Sequence, residues 1–532
     1  MKPAVLALAL LALPHPSPAA QERVLESFEE PAAWHAAPSD GVSLEIEADE
    51  GIQGRAIRLD FDFHGGGGYA VARRDLALEL PDNYALTFWI RGAAPPNNLE
   101  VKLVDPSGEN VWWVNRRDFL LPGEWSRVTL KKRHFTFAWG PAGGGEMRRV
   151  GAIEFAITAG AGGTGSLWID ELAIEARPPV EPYDRTPAAS ASSAGTGAEA
   201  ARAVDEDLQS VWRSAQGGRQ SLTIDFQVPR EYGGLVVDWE PGAHASDYAV
   251  EASDDGMRWE TLRRVTGGNG GRDWLYLPES ESSAVRLALE SGPGGRYAIR
   301  ELEVRPLEFS ASINDFFRAI AAESPRGSYP RPFLDELVYW TVVGASGDEA
   351  EALLSEDGRL EIHPGGFSIE PFFRVEDRLL TWADGDHAQR LLERSLPIPT
   401  VTRTHGDLVL EVTAVAAGDS GASLLHARYR VHNRSRSARR VTLILAIRPF
   451  QVNPPTQFLA VPGGVARIRE ITRAGGAISV DGRLVHVLTD TDAFGAAAFD
   501  QGDVVEWLLR GEVPPAERVN DPFEHASAAL TW

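Results

Sequence analysis

At 532 residues, with 52 Lys+Arg against 76 Asp+Glu and a formal charge of -24, the chain is too long for one hydrophobic core and carries the wrong sign for a nucleic-acid backbone. Hydrophobic residues make 43% and charged residues 24%, proportions of an ordinary globular protein rather than of a disordered tail or a membrane-embedded chain. Cysteine is absent, which excludes disulfides, zinc-thiolate and iron–sulfur sites, a cysteine nucleophile and a lipid-modified cysteine. The length predicts roughly three or four domains. The basic residues are almost all arginine, with lysine at Lys2, Lys102, Lys131 and Lys132, and this bias together with abundant Ala and Gly reads as GC-rich bacterial coding.

The chain opens on the pattern of a secretory signal peptide over 1–20. Lys2 gives a positive start, Val5 to Leu13 an apolar run, and small residues lead to a cleavage point near Ala19 or Ala20. That run is too short to span a bilayer, and no later stretch resembles one. The expected location is secreted or periplasmic, with no integral membrane segment. A first domain follows over 21–177, in which Leu86, Phe88 and Ile90 alternate with Thr87, Trp89 and Arg91. Similar period-two runs recur at 99–104, 127–130, 153–158 and 167–174. Pro178, Pro179 and Pro182 interrupt regular structure, and with the Ala/Ser-rich residues after them they predict a linker over 178–190. A second domain over 191–307 shows strands at 222–228, 235–239, 248–252 and 286–289. One helix is expected next. Ser312 and Asp315 resemble a capping box, Ile313, Phe316, Phe317 and Ile320 keep helical spacing, and Pro325 and Gly327 end it. The third part, 308–532, returns to strands at 409–415, 424–431 and 441–447, with a hairpin turn at Asp357-Gly358. The fold class is all-β: three successive antiparallel sandwiches with one linking helix before the third.

Catalytic signatures are missing: no paired-histidine metalloprotease helix, nucleophile elbow, phosphate loop or dinucleotide fingerprint occurs. The glycine run at Gly65 to Gly68 has no lysine or helix start behind it and reads as a loop beside a sheet. Asp384-Gly385-Asp386-His387 fails the spacing of an EF-hand and reads as an acidic turn. A glycosidase pair of carboxylates leaves no mark that sequence separates from the other acids.

Aromatic placement is more informative. Trp34, Trp89, Trp112, Trp113, Trp125, Trp139 and Trp168 all fall in the first domain. Flat rings stack on the apolar C–H faces of sugars while polar neighbours take the hydroxyls, so Tyr69, Trp112, Trp113 and Trp139 are the candidate carbohydrate-binding residues. Trp112 and Trp113 are adjacent, and on a strand they point to opposite faces, so at most one of them is core. The alternative is that the rings are core or cover sheet edges.

The pieces Gly66-Gly67-Gly68-Tyr69-Ala70, Leu86 to Gly92, Asn110-Val111-Trp112-Trp113 and Leu167-Trp168-Ile169-Asp170 resemble secreted bacterial jelly-roll carbohydrate-binding modules with a galactose-binding-like fold. That resemblance implies one structural calcium, held at the matching positions Glu29 and Asp170. Ala203-Val204-Asp205-Glu206-Asp207, Ser210-Val211-Trp212, Tyr248 to Gly256 and Ile299 to Val304 resemble, in order, a discoidin or coagulation factor 5/8 type C domain. Its members bind ligands through loops at one end of the barrel, and the resemblance carries over no particular ligand residue. From about Phe309, Tyr339-Trp340-Thr341, Gly365 to Pro371 and Ile447-Arg448-Pro449-Phe450 resemble the β-sandwich that precedes the (α/α)6 barrel of six-hairpin glycosidases, so 308–532 reads as the truncated front of a longer protein. The expected function is attachment to poly- or oligosaccharide, with no nucleic-acid partner. Two alternatives stay open: the accessory part of a glycoside hydrolase or phosphorylase, and an envelope adhesion or scaffold protein.

Overall fold

A computed structural model describes residues 22–179, 183, 185–457 and 461–532. The expected signal peptide at 1–20 and part of the expected linker lie outside the described residues. The chain forms two compact units, one up to Pro182 and one from Tyr183.

The strands of the first unit are β1 (Glu22–Glu26), β2 (His35–Ala36), β3 (Ser43–Glu50), β4 (Arg55–Asp62), β5 (Tyr69–Glu79), β6 (Tyr84–Ala93), β7 (Asn97–Val104), β8 (Val111–Phe119), β9 (Ser126–Lys131), β10 (Thr136–Trp139), β11 (Arg149–Thr158) and β12 (Thr164–Ala176). They build two antiparallel sheets, ordered β3-β4-β12-β6-β9, with β1 on β12, and β10-β8-β7-β11-β5-β2. The alternation in sequence becomes the core: Leu86, Phe88 and Ile90 of β6 pack in one cluster with Leu99, Val101 and Leu103 of β7 and Ile153, Phe155 and Ile157 of β11. Each such side chain contributes about 1.5–3 kcal/mol on burial. The opposite residues of β5, β7, β8 and β11 then face away from the core, and that face carries the site described below.

The second unit begins with β13 (Ala188–Ala191), β14 (Trp212–Arg213), β15 (Gln220–Trp239), β16 (Asp247–Ser253), β17 (Glu260–Val265), β18 (Arg272–Ser291) and β19 (Ala298–Arg305), joined in one seven-stranded antiparallel sheet. Ala188–Ala191, expected at the linker's end, pairs instead with Leu222 to Asp225. The strands expected at 222–228 and 235–239 are one strand. Chain direction survives Pro229 because β15 and β18 shift register together between Asp225 and Arg230 and again between Tyr232 and Gly234. These irregularities let one ribbon serve both layers of a sandwich around Trp212, Phe226, Tyr232, Tyr248 and Val285.

Helix α1 (Ile313–Glu323) starts where the capping pattern predicts, with the Ser312 side chain accepting from the Asp315 N–H. Its buried Phe316, Phe317 and Ile320 share a core with Val236 and Trp274 of the preceding sandwich and with Phe333, Phe450 and Phe499 further on. An eight-stranded sheet follows, from Trp340–Gly344 through Ser368–Val375 and Val441–Arg448 to Ala493–Ala497. One face packs on two four-stranded sheets: Phe373 meets Val401 and Val412, and Ile447 and Leu530 meet Ile471 and Val480. A second helix, α2 (Val504–Leu509), capped by Asp503, goes beyond the single helix expected. No helix of the described residues is long and apolar enough to cross a membrane.

Candidate functional site

Pairing in the second sheet of the first unit sets polar and aromatic side chains in rows on its outer face. Trp113 lies opposite Lys102, Lys102 opposite Glu154, and Glu154 opposite Arg73. The next row runs Asn115, Glu100, Ala156, Val71, and the one after it ends with Thr158 opposite Tyr69. Although this face looks away from the core, Glu100 and Lys102 are 6% and 9% exposed and form an ion pair of 3.0 Å. Asn115 Nδ2 donates to the same Glu100 at 3.3 Å, and Arg73 pairs with Glu154 at 2.8 Å. These donors and acceptors make a row of paired charges across that face.

Aromatic rings rise on both sides of it. Trp139 and Tyr69 are exposed, at 47% and 46%, and Lys102 Nζ lies 5.5 Å from the Trp139 ring centroid and 5.9 Å from that of Tyr69. Trp113 stands edge-on to Trp139 at 5.6 Å. Two glycines allow this placement. At Gly140, after Trp139, φ is 131° and a Cβ would come 2.5 Å from the Glu109 carbonyl; at Gly68, before Tyr69, φ is 138° and a Cβ would come 2.3 Å from Ser39 Oγ. That Ser39 hydroxyl accepts from the Tyr69 N–H at 2.9 Å, so the glycine run at Gly65 to Gly68 ends by fixing where Tyr69 emerges.

Trp112 lies elsewhere. It is buried at 6% exposure, donates its indole N–H to the Gly145 carbonyl at 2.9 Å and packs edge-on to Phe137. Expected among the candidate binding rings, it is a core residue, because strand alternation turns it inward when Trp113 turns out.

Glu29 and Asp170, the expected calcium positions, lie on the two sides of the turn at 51–55. Asp170 is fully buried and accepts from the N–H groups of Ile52, Gln53 and Glu171, while Glu29 accepts from the Arg55 N–H at 3.1 Å. Burial raises the Asp170 carboxyl above its ordinary range against those three donors, and the Glu29 charge pushes it the same way. The neighbouring Glu171 is raised by burial and then by Asp170, Glu29 and Glu22. Among the described residues no group of three or more acidic or histidine side chains is arranged to hold a metal ion.

In the third part, Asp384 caps the turn after Thr381, accepting from its N–H and hydroxyl, and His387 approaches Asp357 at 3.7 Å. Asp357 is held by Arg331 at 2.9 Å. Deeper in, Arg448 pairs with Glu370 and Asp503, each at 3.0 Å, and donates to the Ser328 carbonyl at 2.7 Å. The nearby Arg359 is fully buried, and among the described residues none of its three guanidinium nitrogens has a hydrogen-bond partner. Neither the paired charges of that outer face nor this buried charge cluster was marked by the sequence, since each residue taken singly reads as a solvated charge.

The molecule is therefore an all-β assembly of antiparallel sandwich modules. Residues 188–302 match the family model of the F5/8 type C domain, and the chain contains that domain. Among solved structures, it is similar to chitosan-binding module 2 of a chitosanase/glucanase from Paenibacillus sp. IK-5, solved with chitotriose, at 25% identity over 23% of this chain and 99% of that one, with a TM-score of 0.22. It is also similar to the family 11 carbohydrate-binding module of the cellulosomal cellulase Lic26A-Cel5E of Clostridium thermocellum, at 15% identity over 31% of this chain and 99% of that one, with a TM-score of 0.26. A third is CpGH89CBM32-5 from Clostridium perfringens, solved with GalNAc-β-1,3-galactose, at 21% identity, 22% and 94% coverage and a TM-score of 0.21. No protein of curated function matches the chain.

Proposed function

We propose that the chain is a secreted carbohydrate-binding protein whose first unit grips a poly- or oligosaccharide between Tyr69 and the Trp113/Trp139 pair. The observation that carries this reading is the combination on one face: exposed rings at 46% and 47% above a floor of paired, nearly buried charges. A sugar offers apolar C–H faces to the rings and hydroxyls to the floor, and the floor groups are already fixed, so little ordering opposes binding. Each ring contributes about 0.5–1.5 kcal/mol by analogy with aromatic pairs, so a single groove binds weakly. The F5/8 type C domain at 188–302 gives the same chain a second module, and two weak modules on one polymer raise each other's effective concentration.

The test is affinity electrophoresis of the chain through gels carrying a panel of polysaccharides. The reading expects retardation by at least one polymer, reduced about fivefold by Trp139→Ala. Migration unaltered by every polymer would end it. Secretion rests on the pattern at 1–20 and is checked by N-terminal sequencing of protein recovered outside the cytosol. We also propose a structural calcium beside Glu29 and Asp170. Like charges crowd there around the turn at 51–55, and a cation bridging oxygen ligands would relieve their repulsion.

A further inference from the structure

Resting on the reading of the groove as a saccharide site, we infer that Glu100 and Lys102 determine its specificity, so that it takes uncharged sugar polymers and rejects those built from uronates. Lys102 is placed to meet whatever lies between the rings, with Nζ 5.5 Å from the Trp139 centroid and 5.9 Å from that of Tyr69. A lone ammonium there would attract a sugar carboxylate. This one is already engaged: Glu100 holds it at 3.0 Å, and both side chains are more than nine-tenths buried.

A uronate that drew Lys102 away would leave the Glu100 carboxylate buried with Asn115 in place of its cation, and an uncompensated buried charge costs several kcal/mol. A uronate that left the pair intact would bring its own negative charge against Glu100. Sugar hydroxyls face neither penalty, because they donate to the carboxylate and accept from the ammonium without separating the two. Arg73, one strand pair further along and 34% exposed, is also paired, with Glu154 at 2.8 Å and Asp75 at 3.3 Å. The formal charge of -24 adds a general repulsion of polyanions, but salt screens it beyond about 8 Å, so the choice between sugars falls to the pair at the floor.

The experiment is affinity electrophoresis of the full chain on neutral polymers (mixed-linked β-glucan, galactomannan, xyloglucan) and on polyuronates (polygalacturonate, alginate), at fixed ionic strength. The parent is expected to bind a neutral polymer and to pass polyuronates unretarded. Glu100→Gln frees the Lys102 charge and is expected to raise the ratio of polyuronate to neutral-polymer retention at least tenfold. The double variant Glu100→Gln/Lys102→Met, with neither charge, is expected to lose the polyuronate retention that Glu100→Gln gains. Melting curves confirm that each variant folds. Should Glu100→Gln not fold, Asp75→Asn/Glu154→Gln removes both carboxylates from Arg73 on the same face and is likewise expected to raise the ratio of polyuronate to neutral-polymer retention. Parental retention on polyuronates equal to that on neutral polymers overturns the inference, as does a folded Glu100→Gln that gains nothing. A parent retained by no polymer at all fails the saccharide reading itself, which is a different outcome.

Discussion

Trp113 and Trp139 meet edge to face over the outer sheet of the first unit, ring centroids 5.6 Å apart and planes at 81°. Trp112, one residue away from Trp113, lies beneath the same sheet with its N–H bonded to Gly145. Truncating Trp112 and Trp139 therefore has different costs. Trp112→Ala leaves a cavity in the core and is expected to cost about 3–5 kcal/mol, whereas Trp139→Ala, on an exposed ring, stays within about 1 kcal/mol of the parent. Denaturant unfolding followed by circular dichroism separates them. Equal destabilisation by both would make Trp139 a structural residue.

Calcium gives a second prediction. If a cation bridges the turn at 51–55, adding calcium raises the melting temperature of the first unit's transition, chelation reverses the rise, and Glu29→Gln/Asp170→Asn no longer responds. A parent whose melting is the same with calcium and with chelator holds none there.

The buried arginines of the third part should respond oppositely to the same substitution. Burial opposes the Arg448 charge, yet Asp503 and Glu370 together hold its pKa above the ordinary arginine value. Arg448→Met strands both acids and is expected to cost about 3–5 kcal/mol. Burial lowers the pKa of Arg359 against the pull of Glu370, Asp357 and Glu361, and its guanidinium makes no hydrogen bond among the described residues, so Arg359→Met removes a desolvated cation and is expected to be neutral or stabilising. Chemical denaturation of the two variants side by side decides this.

Acidity should matter where the F5/8 type C sandwich meets α2. Burial pushes the Glu506 carboxyl up to about 8, helped by Asp503 and Asp273 and opposed by Asn269 and Arg510. Burial likewise lifts Asp273 to about 6, against hydrogen bonds from Tyr248 and Trp239. Both groups line one small cavity with Asp500, which pairs with Arg263 at 2.5 Å. In the folded chain these carboxyls keep protons that the unfolded chain has already lost. Their stabilisation is complete below the ordinary carboxylate range and is lost as pH rises, through about 6 for Asp273 and about 8 for Glu506. One such group changes stability by about 1.4 kcal/mol per pH unit within its window. Melting of the second unit should fall between about pH 5 and pH 8, and Glu506→Gln should flatten the part of that fall above about pH 6; a curve of unchanged slope would contradict it.

Local signals were legible where a single element satisfied its own pattern. Ser312 and Asp315 marked α1, and the spacing of Ile313, Phe316, Phe317 and Ile320 marked its buried face. The six residues of α2 make fewer than two turns, too few for a period to show, although Asp503 stood at its cap. In β7, Leu99, Val101 and Leu103 announced a strand with one apolar face, which is why Glu100 and Lys102 between them read as solvent-facing. The ring centroids of Tyr69 in β5 and Trp139 in β10 lie 5.9 Å and 5.5 Å from the Lys102 ammonium, a tertiary arrangement that no window of sequence contains. Pro229 and the pair Gly233-Gly234 read as breaks, but both fall at register shifts inside β15. At Gly234 a Cβ would come within 2.4 Å of the Phe309 ring, so the glycine there serves close packing rather than chain reversal.

The most direct measurement is calorimetric titration of the chain with an oligosaccharide cut from whichever polymer retards it, repeated with Tyr69→Ala/Trp139→Ala. The account predicts saturable binding in the parent and at least a tenfold weaker association in the double variant, with its melting temperature preserved. Undiminished affinity in a folded double variant would contradict it.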